Sequence, residues 1–257
     1  MRLDRELARD LGRALRCRPL QLYLLVQGVA AAVFVWRRGT ETLSMVLLIW
    51  LGLALLAFIA WWSGRHPAAR ATPDPVPAAG PRTAFALLGA VGLLAWGLRP
   101  ELGFVLLLAG VGGWLWAAVR GGGLSGLGGR LTRSPRPFIG LYLLIGLPNL
   151  LARGPLYLLG AGLALPSGIG QQLALLVGLF APLEAWTGRR AWAAVVAAAV
   201  FAVLHVPLVM EANHHDPLAA CANVALFQAS VGLIAILAYT RHRAAVPIGV
   251  AHAMAIA

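Results

Sequence analysis

The sequence predicts an all-α protein, a multi-pass transmembrane helical bundle of about nine spans. Of its 257 residues, 60% are hydrophobic and only 12% are charged, which excludes an ordinary soluble domain. Apolar stretches of about 17 to 25 residues are long enough to cross a bilayer. Such stretches lie at residues 19–36, 43–62, 83–98, 102–119, 137–152, 170–187, 190–210, 218–239 and 244–257, of which the third, fifth and last are short.

The arginines alternate between loops and predict the orientation of these spans. The chain has no lysine, and 17 of its 21 arginines lie in alternate segments, namely 1–18, 63–82, 120–136, 188–190 and 240–243. The intervening segments 37–42, 99–101, 153–168 and 211–217 hold the other four. The positive-inside rule then predicts a cytoplasmic N-terminus. Because loop position explains the basic charge, nucleic acid is not a predicted partner.

Two segments of biased composition divide the chain. Residues 65–82 are rich in proline and alanine, and residues 121–136 are rich in glycine, so both are predicted linkers. They separate an N-terminal transmembrane scaffold, residues 1–136 with about four spans, from a second transmembrane domain, residues 137–257. Residues 1–18 are not followed by a cleavage signature and are predicted to be a retained helix. Residues 154–166 are too short to cross and are predicted to be an interfacial or re-entrant piece.

The second domain concentrates the polar side chains of the predicted spans. Polar groups are costly in lipid and usually face a bundle interior or a watery cavity, so this domain is the predicted location of the site. Its polar residues are Asn149, Gln171, Gln172, Glu184, His205, Asn223, Gln228 and His252. The two histidines can be catalytic or can be hydrogen-bonded packing elements. No cofactor, disulfide or CxxC metal site is indicated.

Helix counting separates the one acid in these spans from the first histidine. Two antiparallel helices that meet at residues 187–190 hold Glu184 and His205 roughly 18 Å apart in height. Glu184 is therefore predicted at the interface, paired with a neighbouring arginine. The residues level with His205 across that turn are Gln171 and Gln172.

From about residue 165 onward the chain resembles the CPBP family, the intramembrane glutamic proteases that include CAAX prenyl endopeptidases and bacterial Abi proteins. The family motifs are Glu-Glu-x-x-x-Arg, Phe-x-x-x-His and His-x-x-x-Asn. The second is present as Phe201-Ala-Val-Leu-His205. The third is present as His252 with Ile256 at the asparagine position, after a short basic turn between two helices.

The first motif can be placed on the chain in two ways. Glu184-Ala-Trp-Thr-Gly-Arg189 begins 21 residues before His205, and Gln171-Gln172-Leu-Ala-Leu-Leu176 begins 34 residues before it. The family shows the longer spacing, and helix counting favours the same placement. Both glutamates of the motif then read as glutamine, and Leu176 stands at the arginine position.

The resemblance implies an intramembrane endopeptidase of the bacterial inner membrane that cleaves a membrane-associated peptide or protein. It implies catalytic roles for His205, His252, Gln171 and Gln172, with Glu184 as the alternative acid, and requires no metal or cofactor. Because glutamine cannot take up a proton at neutral pH, an inactive pseudoprotease that acts as a membrane scaffold or binding protein is the main alternative. A metal or proton pathway through the two histidines, fed by the adjacent pair at 214 and 215, is a third.

Overall fold

A computed structural model describes residues 9–13, 15–63, 81–120, 146–242 and 245–256. Within these ranges the chain is helical and contains no strand. The predicted all-α class is therefore confirmed. The two predicted linkers and the first half of the predicted span at 137–152 fall almost wholly outside the described residues; residues 146–153 are helical.

The described helices are short enough to be listed in chain order. They are α1 Arg18–Arg38, α2 Leu43–Ser63, α3 Pro81–Leu98, α4 Pro100–Arg120, α5 Leu156–Leu173, a π-helical segment Ala174–Phe180, α6 Ala181–Thr187, α7 Arg190–Val203, α8 Val206–Val209, α9 Pro217–Leu226, α10 Gln228–His242 and α11 Ala245–Ile256.

Several of these helices are apolar enough to span a membrane, which indicates a membrane protein. Among the described residues, four stretches have the length and hydropathy of a span: Arg18–Arg38, Pro100–Ala117, Leu156–Thr187 and Pro217–Thr240. Four shorter apolar helices accompany them. Leucines at positions 48, 51, 159 and 163 are each more than half exposed, as expected for side chains that face lipid rather than water. The count of nine spans is not established by these helices.

The predicted interfacial piece at residues 154–166 is wrong. The chain is helical without interruption from Leu156 to Thr187, and its length is about 48 Å at 1.5 Å per residue. Pro166 lies inside α5, where it removes one backbone hydrogen bond. A helix survives this loss because unpaired backbone groups in lipid would cost more in any irregular alternative.

The scaffold helices α3 and α4 pack against the helix that carries the glutamine pair. Glycine permits their close approach, since a Cβ on Gly110 would lie 2.9 Å from the backbone nitrogen of Gly89. One hydrophobic core runs through both predicted domains. Its buried members include Ala86, Leu93, Leu107, Trp114, Leu173, Phe180, Phe201, Tyr239 and Ile248.

Helix α1 lies antiparallel to α9 and the start of α10, held by three polar contacts. The hydroxyls of Tyr23 and Ser230 are 2.5 Å apart, and Gln27 donates from Nε2 to the carbonyl oxygen of Ala225 at 2.5 Å. At the far end Arg37 donates to Asp216 at 2.6 Å, and Asp216 also caps α9. The loops at 37–42 and 211–217, both predicted on one side of the membrane, therefore lie at the same end of the bundle.

Candidate functional site

Three of the five predicted site residues meet at one side chain. The amide oxygen of Gln171 lies 2.8 Å from Nε2 of His252 and 3.1 Å from Nε2 of His205. The amide nitrogen of Gln171 donates to Oγ of Ser167 at 2.9 Å. Gln171 and His205 are buried, with 7% and 6% of their surface exposed. Three helical segments far apart in sequence thus converge on one amide.

Two glycines allow the last helix to approach α5 closely enough for this contact. A Cβ on Gly168 would lie 2.6 Å from the backbone nitrogen of Ala253, and a Cβ on Gly249 would lie 2.6 Å from Cα of Ile169. Such distances are shorter than any real side chain tolerates, so only glycine fits at both positions. Small residues at helix contacts are the usual route to close packing in membranes. His252 reaches Gln171 because α5 and α11 are in backbone contact one turn away.

A break in the seventh predicted span positions His205. Helix α7 ends at Val203, and α8 begins at Val206 with a proline at its second residue. Pro207 has no N–H and its ring would clash with the carbonyl of Val203, which explains the end of α7 at that residue. His205 lies in the break, and its Nδ1 is 2.7 Å from the carbonyl oxygen of Phe201. The prediction of one continuous helix over 190–210 is therefore corrected.

The ring of Phe201 forms one wall of the cluster. Its centroid is 4.5 Å from that of His205 and 6.5 Å from that of His252, in edge-on arrangements. Phe201 is fully buried, and so is Leu176, the residue at the arginine position of the resembled motif. The amide and the two imidazoles are thus surrounded by apolar groups, where each hydrogen bond is electrostatically stronger than in water.

Gln172, the second glutamine, does not share these contacts. It is fully buried, and within the described part of the chain neither its amide oxygen nor its amide nitrogen has a hydrogen-bond partner. Successive helical residues point about 100° apart, so two adjacent side chains cannot face one partner. The π-helical segment begins two residues later, and π-helical turns are often found at functional sites. Gln172 is an unpaired amide beside a widened helical turn.

Glu184 lies away from the amide and the histidines. It is in α6, on the same continuous helix as Gln171 but roughly 18 Å further along by helical rise. Its carboxylate accepts a hydrogen bond from Arg190 at the turn into α7. The geometry gives it an interfacial ion pair. Ile256 is the last residue of α11.

Ser167 is a site residue that the sequence analysis missed. It precedes Gln171 by four residues in α5, which places the two side chains on one helix face. That spacing was the available signal, but serine is common in transmembrane helices and does not stand out in composition. In the described ranges, no group of three or more His, Cys, Asp or Glu residues is arranged to hold a metal ion.

Comparisons with protein families, curated proteins and solved structures give no match for this chain. The site must therefore be interpreted from its own chemistry. That chemistry is a buried amide hydrogen-bonded to two imidazoles, one of them anchored by a backbone carbonyl.

Proposed function

We propose that the chain is a multi-pass protein of the bacterial inner membrane with a CAAX-protease-like domain, and that it hydrolyses a membrane-associated peptide or protein. The observation that carries the proposal is the contact of Gln171 with both His205 and His252. Two histidines from separate helices that share one buried polar partner form a unit that packing alone does not require. Intramembrane polar clusters usually mark functional sites.

His205 is the general base of the proposed reaction. Its Nδ1–H donates to the carbonyl oxygen of Phe201, which leaves the lone pair of the neutral ring at Nε2, on the side of the site. That nitrogen takes a proton from water as the water oxygen attacks the scissile carbonyl carbon. The same proton then passes to the leaving amine as the C–N bond breaks. Protons and charges balance without a metal or a second substrate.

His252 stabilises the oxyanion that forms on the scissile carbonyl oxygen. An N–H at its Nε2, now directed to Gln171, would be shared with that oxygen. The resemblance implies a second donor from an asparagine, but Ile256 at that position has no polar group. Loss of one oxyanion donor typically lowers the rate by about 10²–10³. The proposed enzyme is therefore slow, with His252 as its oxyanion donor.

The orientation in the membrane follows from the arginine distribution and is part of the proposal. With the arginine-rich segments in the cytoplasm, the ends of α1 and the loop at 211–217 face outward. His205 lies near that loop, only a short helix away. A substrate that enters from the outer leaflet has the shorter path to the cluster.

A second candidate function is a pseudoprotease that binds a membrane peptide without cutting it. Glutamine stands where the resembled family has glutamate, and an amide cannot accept a proton as a carboxylate does. A binding protein needs only the hydrogen-bonding groups of the site. This alternative is favoured by the same cluster, in which Gln171 is already hydrogen-bonded to both rings and to Ser167.

Cleavage of a panel of transmembrane and lipidated peptides by the purified protein in lipid vesicles tests the two functions. We compare wild type with His205→Ala, His252→Ala and Glu184→Gln, and use His214→Ala in the exposed loop as the matched histidine control. Loss of cleavage in the first two variants alone supports the enzyme. Loss in Glu184→Gln would overturn the assignment of the base.

Restoring the acid separates the enzyme from the pseudoprotease. Gln171→Glu, alone and with Gln172→Glu, supplies the carboxylate that the resembled family has. If wild type binds peptide without cutting it and the acid variants cut, the pseudoprotease is the correct function. If wild type cuts and the acid variants cut faster, the slow enzyme is.

A further inference from the structure

We propose that Gln171 works in two amide orientations, one for each protonation state of its histidines, and that Ser167 is the positioning residue that supports both. The inference rests on the proposed function for its catalytic meaning. Its evidence is the hydrogen-bonding geometry alone, and its test reads the histidines directly, so that it can fail or stand whether or not the protein cleaves peptides.

The geometry at His205 requires this because the ring has one proton too few when it is neutral. Its Nδ1 faces the carbonyl oxygen of Phe201 at 2.7 Å, and its Nε2 faces the amide oxygen of Gln171 at 3.1 Å. Both oxygens accept hydrogen bonds, whereas a neutral imidazole has a single N–H. With the amide oxygen inward, His205 is satisfied only as a cation with protons on both nitrogens.

A half-turn of the Gln171 amide satisfies the neutral ring. The NH₂ group then points inward and offers two N–H bonds, one to Nε2 of His205 and one to Nε2 of His252. The amide oxygen and nitrogen are nearly equal in size, so the exchange needs no movement of the helices. The distances of 3.1 and 2.8 Å are within the range for N–H···N hydrogen bonds as well as for N–H···O bonds.

Ser167 suits both orientations because a hydroxyl can donate or accept. It accepts from the amide nitrogen when the oxygen is inward, as in the structure at 2.9 Å. It donates to the amide oxygen after the half-turn. A residue that could only donate or only accept would hold the amide in one orientation. Since Ser167 lies one helical turn before Gln171, it stays within reach in both states.

The half-turn explains how an amide can support proton transfer that it cannot perform. In the neutral state, Nε2 of His205 accepts from the inward NH₂ group. When that nitrogen takes a proton from water, the amide turns, and its oxygen accepts from the new N–H and from Nε2–H of His252, whose ring proton moves from Nδ1 to Nε2. Gln171 thus stabilises the cationic ring by a charge-assisted hydrogen bond, without gaining a proton itself.

Histidine nitrogen NMR of the purified protein in lipid or detergent tests the proposal. The protein is labelled with ¹⁵N-histidine in a background in which the other four of its six histidines are replaced. At neutral pH we expect both rings of wild type to be neutral, with the proton on Nδ1 and an unprotonated Nε2. In Gln171→Glu the carboxylate only accepts, so we expect a protonated Nε2 on His205.

Ser167 variants test the positioning role. Ser167→Ala leaves one end of the amide without its partner, so we expect ring signals from a mixture of protonation states, and Ser167→Thr, which keeps the hydroxyl, should restore the wild-type spectrum. A wild-type Nε2 of His205 that carries a proton, as in Gln171→Glu, would overturn the two-orientation proposal. A Ser167→Ala spectrum identical to wild type would overturn the role of the serine.

Discussion

Substitution of Gly168 by alanine should separate α5 from α11 and break the contact between Gln171 and His252. The new Cβ would lie 2.6 Å from the backbone nitrogen of Ala253 and 2.7 Å from its Cα and Cβ. Ordinary van der Waals contact needs about 3.5 Å, so the two helices must move apart by roughly 0.8 Å. Added to the present 2.8 Å, this puts the amide and Nε2 of His252 near 3.6 Å. That distance is too long for a hydrogen bond.

The cost in stability can be set out from the same geometry. Overpacking a tight contact costs about 1–3 kcal/mol, and loss of one hydrogen bond costs about 0.5–1.5 kcal/mol. Alanine gains back about 1 kcal/mol over glycine in helix propensity. We expect Gly168→Ala to lower the free energy of unfolding by about 1–3 kcal/mol in all.

Gly162 provides the matched control, because it lies in the same helix and a Cβ there meets nothing within 4 Å. Gly162→Ala should therefore be neutral or raise stability by up to about 1 kcal/mol. Unfolding by sodium dodecyl sulfate in mixed micelles measures both variants, and histidine nitrogen NMR reports the contact itself. If Gly168→Ala is as stable as Gly162→Ala and the signals of His252 are unchanged, the inferred helix contact is wrong.

Three further predictions concern groups outside this contact. Gln172→Met removes an unpaired buried amide and should raise the free energy of unfolding by about 1–3 kcal/mol in the same assay. The hydrogen bond from Arg37 lowers the pKa of Asp216, so this pair stabilises the folded state above the ordinary aspartate pKa of 3.8 and the stabilisation is lost as the pH falls below about 4; Asp216→Asn should remove the pH dependence. In a variant without the two native cysteines, Glu41→Cys should react with an impermeant maleimide in intact cells, and Thr187→Cys only after permeabilisation.

Each of these has a control or an opposite outcome. Gln171→Met removes a paired amide, so it should destabilise where Gln172→Met stabilises, and equal effects would contradict the different environments of the two glutamines. A wild-type advantage over Asp216→Asn that persists at pH 3 would contradict the ion pair with Arg37. Labelling of Thr187→Cys in intact cells would reverse the proposed orientation.

Helix counting from the sequence predicted the neighbourhood of the site because it depends only on rise per residue. The turn at residues 187–190 is real, and the two helices that meet there run antiparallel, so Gln171 and His205 fall at one height. The ion pair of Glu184 with Arg190 follows from the same ruler. These are local quantities, and the composition of the segments was sufficient to give them.

Two errors arose where backbone continuity was decided by competing effects. Pro166 suggested an interruption in α5, but the helix continues through it, whereas Pro207 does end a helix. Both residues lack the same N–H. A proline therefore marks a site of weakened helix, and the packing around it decides whether the helix breaks.

By itself the sequence determined that the chain is helical and apolar enough for a membrane, and that its polar groups gather in the C-terminal block. These follow from composition and from the cost of polar groups in lipid. Only the tertiary structure decided which glutamine meets the histidines. Gln171 and Gln172 are at nearly equal heights, but they point about 100° apart. The rotation of α5 is fixed by the glycine contact with α11, a pairing of residues more than 80 positions apart that no local pattern records.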